Sequence, residues 1–104
     1  MQVDITGRHM DVTEAMERQI RQHIDKLPKF DQKIQYLTVT LDDDGGNQLV
    51  EIIAKCHQSD LVAEAKGHDM YQTIDEAFAK IKRQIRRLHD KLVDHGGGPS
   101  GAAR

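Results

Sequence analysis

An α+β fold, with two helices laid on one side of a four-stranded sheet, follows from three features of this 104-residue chain. Two segments repeat apolar residues at helical spacing, four repeat them at every second position, and their order is β-α-β-β-β-α. The long helical crossover after the first strand fits a parallel pair with a right-handed connection, whereas the two short turns that follow fit antiparallel hairpins. Each helix has a single apolar face, so both are expected to cover the same side of the sheet in a two-layer sandwich.

The elements follow in order. Residues 2–7 alternate, with Val3 and Ile5 on one side and Asp4 and Thr6 on the other. Thr13 has the side chain of a helix N-cap, and Glu14 and Glu17 suit the positive end of the helix dipole. Met16, Ile20, Ile24 and Leu27 then trace one helical face, and Pro28 should stop the helix, which is predicted over residues 13–27. Period two returns over residues 35–41, with Leu37, Val39 and Leu41 together. Residues 42–47, three aspartates, two glycines and Asn47, read as an exposed acidic turn. A strand over 48–57, a turn over 57–60 and a strand over 61–66 complete the sheet, and Gly67 ends it. Asp69 is placed to cap the second helix, with Gln72 as the reciprocal partner of a capping box. Met70, Ile74, Ala77, Phe78, Ile81, Ile85, Leu88 and Leu92 keep steps of three and four, the longest periodic signal in the chain. Residues 1–95 are therefore read as one domain. Residues 96–104, rich in glycine, are expected to form a flexible tail.

A hydrophobic content of 38% and a charged content of 31% fit a globular domain. No apolar run approaches the roughly 20 residues that cross a bilayer. The first residues lack the basic start and apolar stretch of a secretory signal. Cys56 stands alone and cannot form an internal disulfide, so a soluble protein of the reducing cytoplasm is expected.

The formal net charge of −2 hides a segregation of charge. Between Lys80 and Lys91 six basic residues face only Asp90, a local balance of +5, while the rest of the chain sums to −7. On a helix of about 100° per residue, Lys80, Arg83, Arg87 and Lys91 fall on one flank of the apolar stripe, and Lys82 and Arg86 on the other. The bland reading is a solvated face whose cations complement the negative end of the helix dipole. That effect, however, fades within the last turn. Like charges at i,i+4, such as Lys82 with Arg86 and Arg83 with Arg87, destabilise a helix by a few tenths of a kcal/mol each, a cost that a bound polyanion would offset. With only four aromatic residues, Phe30, Tyr36, Tyr71 and Phe78, base stacking is poorly served, and the pattern suits phosphate-tracking recognition of folded RNA. Tyr36 and Tyr71 are read as packing at the edge of the core.

Other chemistry is weakly supported. Cys56, His57 and His68 match no zinc spacing, and Cys56 reads as a small buried residue. The aspartates at 42–44 lack the alternating ligands and terminal Glu of a calcium loop. No phosphate-cradling glycine motif and no nucleophile–base arrangement stands out, so no catalytic residue, metal or cofactor is assigned.

The second helix also carries a family resemblance. Asp69-Met70-Tyr71, Ile74-Asp75, Lys80, Arg83-Gln84, Arg87 and Lys91 resemble the second helix of the ribosome hibernation-promoting factor family. That family includes the ribosome-associated inhibitor A type and was once labelled sigma-54 modulation protein. The opening is similar as well, with Ile5-Thr6-Gly7 closing a strand and Val12-Thr13-Glu14-Ala15 starting a helix, so the resemblance spans about residues 1–93. It implies a layout like that of double-stranded RNA-binding domains. It implies binding to rRNA of the small ribosomal subunit, in the channel of messenger and transfer RNA, and silencing of translation in stationary phase. The RNA contacts it implies are Lys80, Arg83, Arg87 and Lys91. Lys82 and Arg86 join them by charge and geometry, and Arg8, Lys26 and Lys29 are weaker candidates. The chain resembles the short form of the family, a monomer off the ribosome that would act with a separate ribosome modulation factor. A protein-interaction module that regulates a transcription or stress-response partner is the alternative.

Overall fold

The structure, a computed structural model, describes residues 1–28, 34–56 and 59–97, with side chains through Lys91. Its elements are β1 (Gln2–Arg8), α1 (Glu14–Asp25), β2 (Ile34–Asp44), β3 (Asn47–Cys56), β4 (Ser59–Gly67) and α2 (Met70–Gly97). The strands lie side by side in chain order, β1 parallel to β2 and the other two pairs antiparallel, as the connection lengths predict. One helix boundary lies beyond the expected domain end, since α2 continues to Gly97, and residues 98–104 lie outside the described ones.

Burial follows the two sequence periods. Leu37, Val39 and Leu41 of β2, and Val50, Ile52, Ala54 and Cys56 of β3, alternate into one face. Ile20, Ile24 and Leu27 from the α1 segment, and Ile74, Ala77, Phe78, Ile81 and Ile85 from α2, join them in a single cluster. Both helices therefore cover the same side of the sheet, and α2 seats mainly on β4 and β3. Among the described residues, no helix lies on the other side of the sheet. That side carries, by alternation, Asp4, Thr6 and Arg8 of β1, Tyr36, Thr38 and Thr40 of β2, Glu51 and Ile53 of β3, and Val62, Glu64 and Lys66 of β4.

Local chemistry sets the element ends. Thr13 Oγ1 accepts from the Met16 amide at 3.2 Å, the expected N-cap of α1. Before Pro28 the helix unwinds, and the Leu27 amide donates to the Ile24 carbonyl at 3.1 Å. Asp69 Oδ1 accepts from the Tyr71 amide at 2.8 Å and more weakly from that of Gln72 at 3.4 Å, which starts α2. The predicted reciprocal bond from Gln72 is not made among the described residues. Thr73 instead donates its hydroxyl to the Asp69 carbonyl at 2.7 Å.

The acidic turn requires correction. β2 runs through Asp44, and only Gly45 and Gly46, at φ +61° and +93°, make the turn. Two consecutive positive φ values close a tight type I′ hairpin, so Asp44 pairs directly with Asn47. Asp42 and Asp43 are half-buried and hydrogen-bonded. His9 Nδ1 donates to Asp42 Oδ1 at 2.9 Å, while Asp43 Oδ1 accepts from the Gly46 amide at 3.2 Å and from Gln48 at 3.1 Å. Ser59 and Asp60, expected in the second turn, already belong to β4, where Ser59 pairs with Cys56, and residues 57–58 lie outside the described ones.

At the end of β1 the chain turns back closely on itself. A Cβ at Gly7 would stand 2.6 Å from the Met10 carbonyl oxygen, a backbone atom with little freedom to retreat. Gly7→Ala should therefore cost about 1–3 kcal/mol, the usual range for overpacking. Equilibrium urea unfolding measures it, and an unchanged midpoint would show that the turn yields more easily than its geometry implies.

Candidate nucleic-acid interface

The apolar stripe of α2 fixes which cations meet solvent. With Ile74, Ala77, Phe78, Ile81 and Ile85 against the sheet, Arg83, Arg86, Arg87 and Lys91 are exposed and Lys82 is half-buried. The two flanks are distinguished by what they touch. Lys80 Nζ donates to the Glu64 carbonyl and Gln84 Nε2 to the Val62 carbonyl, each at 2.7 Å, so that flank runs along the outer edge of β4. Asp75 on the opposite flank meets α1, which sets Lys82 and Arg86 on the α1 side of the helix.

The ridge lacks acidic compensation. Among the described residues, no ion pair involves a lysine or arginine of α2. The contrast with α1 is direct: there Arg18 pairs with Glu14 at 4.0 Å and Arg21 with Glu17 at 3.1 Å, both one turn apart. On α1 the basic residues follow acidic ones by one turn, whereas on α2 Lys82/Arg86, Arg83/Arg87 and Arg87/Lys91 set like charges one turn apart.

The remaining expected contacts scatter. Lys26, the exposed C-cap residue of α1, lies on the helix end nearest the Lys82 flank, because α1 meets α2 in parallel sense, Gln19 at Tyr71 and His23 at Phe78. Lys29 lies outside the described residues. Arg8 is exposed at the end of β1, on the sheet face away from the helices. It lines a shallow cavity of about 380 Å³ with Asp42, Glu51, Glu64, Lys66 and Lys80. Lys66 escaped the sequence reading, although period two on β4 places it on the face of Val62 and Glu64. Three cations and three carboxylates balance in this hollow, so it offers a polyanion far less than the helix ridge does.

A second arrangement missed from sequence joins the helices. Gln19 Nε2 donates to the Tyr71 carbonyl at 2.9 Å and to Asp75 Oδ1 at 2.8 Å, and His23 Nε2 lies 2.6 Å from the same carboxylate oxygen. Since an ionised carboxylate only accepts, Nε2 carries the proton. The His23 ring stacks on Phe78 with centroids 4.7 Å apart and planes 7° from parallel. The sequence signal was faint: Gln19 and His23 lie one turn apart beside the apolar stripe of α1, with nothing to name their partners.

The aromatic and thiol groups offer no competing chemistry. Tyr36 and Tyr71 are both exposed, against expectation, because neither joins the apolar cluster. The Tyr36 hydroxyl donates to Asp4 Oδ2 at 2.6 Å, and this bond, followed by the charge of Asp4, raises its pKa above the ordinary value. Cys56 is fully buried, and desolvation, then the Asp60 charge, pushes its thiol pKa up, which disfavours the thiolate that attacks or ligates. Among the described residues no group of three or more His, Cys, Asp or Glu is placed to hold a metal. No described helix is long and apolar enough to cross a membrane.

A β-α-β-β-β-α sandwich with an uncompensated basic helix defines a class, and comparison with known proteins gives it a family. The sequence pattern of the family described as sigma 54 modulation protein / S30EA ribosomal protein matches residues 3–93, and the chain belongs to that family. Among its relatives, the ribosome hibernation promoting factor of Salmonella typhimurium is 30% identical over 95 residues, covering 91% of this chain and all of the relative. That of Azotobacter vinelandii is 29% identical over 98 residues, covering 94% of this chain and 92% of the relative. Two solved structures share the fold. A ribosomal subunit interface protein from Coxiella burnetii superposes with a TM-score of 0.81 at 20% identity, over 86% of this chain and 99% of that one. The N-terminal domain of Thermus thermophilus Protein Y gives 0.76 at 22% identity, over 85% and 99%.

The helix junction has a pH signature. The hydrogen bond from His23 lowers the Asp75 pKa below its ordinary value; partial burial opposes the shift, and Gln19 and the His23 charge reinforce it. The native state therefore holds this proton less tightly than the unfolded chain. The resulting stability is complete above the ordinary carboxylate value, about 4, and is lost as pH falls through the lowered native one. Asp75→Asn should be less stable than wild type at neutral pH, with the gap closing below about pH 4. Urea midpoints over a pH series measure this; a gap that stays constant into acid would remove the linkage.

Proposed function

We propose that the protein is a ribosome hibernation factor that binds rRNA of the small ribosomal subunit and stops translation by occupying the channel of messenger and transfer RNA. The observation that carries this reading is the exposed set Arg83, Arg86, Arg87 and Lys91, presented along one helix with no ion-pair partner among the described residues. Such a ridge attracts phosphate without reading bases, as suits folded RNA. The family and the names of its relatives, ribosome hibernation promoting factors, support the same reading.

In this mechanism the work is steric and electrostatic. Arg83, Arg87 and Lys91 engage phosphates along one side of the helix, and Lys82, Arg86 and Lys26 along the other. Lys80 contributes after exchanging the Glu64 carbonyl for phosphate, and Arg8 and Lys29 stand at the margin. No bond is made or broken, so no catalytic residue, metal or cofactor is invoked. Such a protein acts in the cytoplasm, in stationary phase or stress, as a monomer off the ribosome, and a separate ribosome modulation factor is a further partner.

Neutralising about four to six phosphates should make binding fall by an order of magnitude or more between low and moderate salt. Co-sedimentation with purified small subunits, wild type beside Lys80/Arg83/Arg87/Lys91→Ala, tests the ridge. The variant is expected to stay in the supernatant at salt concentrations where wild type pellets. Equal pelleting would remove the ridge from the mechanism, and a lysate partner retained after RNase treatment would favour a protein-interaction module.

A further inference from the structure

Two α2 side chains lie on the outer edge of β4. β4 is a terminal strand of nine residues, Ser59–Gly67, longer than the usual strand of about five or six. In an antiparallel pair, backbone groups of alternate residues point toward and away from the neighbour. The Val62 and Glu64 carbonyls accept from α2 side chains, so these residues turn their backbone outward, and Asp60 and Lys66 share that alternation. An edge of this length is a template for another strand unless something blocks it.

Lys80 and Gln84, one helical turn apart, occupy those two successive outward carbonyls, and Lys80 also sets a positive charge on the edge. We propose that the β4 edge is a pairing surface for a second copy of this chain, and that Lys80 and Gln84 hold it shut. The sequence of the strand selects the register. With a two-fold axis at Ala63, Asp60 lies opposite Lys66 of the second copy at both ends, and Val62 lies opposite its Glu64. All of these are outward-facing positions, so the hydrogen-bond pattern is met. Shifting the pairing by two residues in either direction sets carboxylates against each other, Asp60 against Glu64 or Glu64 against Glu64, which is destabilising. The strand is self-complementary in one register. Pairing would also bring the two Lys80 flanks together, so Lys80 opposes it both by capping a carbonyl and by repulsion.

The test replaces the guards while keeping their stems. Lys80→Met/Gln84→Met retains helix-compatible side chains over β4 and removes both donors. In sedimentation velocity over a wide concentration range, wild type is expected to stay monomeric and the variant to double in mass. Adding Asp60→Lys should return the variant to monomer, and adding Lys66→Asp as well should restore the dimer. A natively folded guard variant that stays monomeric overturns the proposal, as does a dimer indifferent to the charge swap, or a wild type that pairs as strongly as the variant. If the double replacement unfolds, Lys80→Met alone carries the test: it should dimerise more weakly with the same response to the swaps, and a folded monomer counts against the idea. None of these readouts involves RNA, so the outcome is independent of the ribosomal role.

Discussion

Burial of Ile74, Phe78, Ile81 and Ile85 against β3 and β4 fixes the rotation of α2 about its own axis, and almost everything else in the molecule takes its place from that. A helix with one apolar stripe has one azimuth at which the stripe is dry. At that azimuth Lys80 and Gln84 reach the edge of β4, Asp75 meets Gln19 and His23, and Arg83, Arg86 and Arg87 are left to water. Rotating the helix by one residue's worth would bury a guanidinium, which costs several kcal/mol even after relaxation. Packing, not charge, therefore decides where the charge points.

The two helices use opposite electrostatic designs within one fold. α1 carries its own counter-charges one turn away, so its surface is close to neutral at short range. α2 accumulates repulsion along its length and relies on the core beneath it to remain helical. A helix stabilised from below can afford an unbalanced surface above, which is how a chain with formal net charge −2 displays a cationic ridge.

Much of this was legible in the sequence. The six elements, the strand order and the shared face of the helices follow from period and connection length, because those signals are local and the short turns leave little topological choice. The ridge was legible for the same reason: Arg83, Arg87 and Lys91 are fixed by helical angle once the stripe is seen. What stayed hidden depends on pairs far apart in the chain. Asp42 looked like turn chemistry because its partner His9 lies across the sheet; two glycines alone close the hairpin, freeing the aspartates for β2. Lys80 looked like a free cation because the Glu64 carbonyl becomes available only once β4 is placed as an edge. The His23–Phe78 stack and the tie to Asp75 join residues of two helices that no spacing rule connects. Tyr36 and Tyr71 misled for a related reason, since an aromatic ring at a core margin gives no local sign of which way it turns.

The parallel pairing of β1 with β2 bears on how the chain comes to be made. Synthesis runs in the N-to-C direction, so β1 emerges before its partner, and the strand that satisfies it begins only at Ile34, after the whole of α1. Until that stretch has left the exit tunnel, Val3 and Ile5 have no layer to enter and the strand's amides have only water. The β2–β3–β4 meander, by contrast, pairs neighbours in the chain and, with α2, can supply a finished surface. β1 is thus made well before it has a partner, and the nascent protein carries that strand as a loose thread until β2 has followed α1 out.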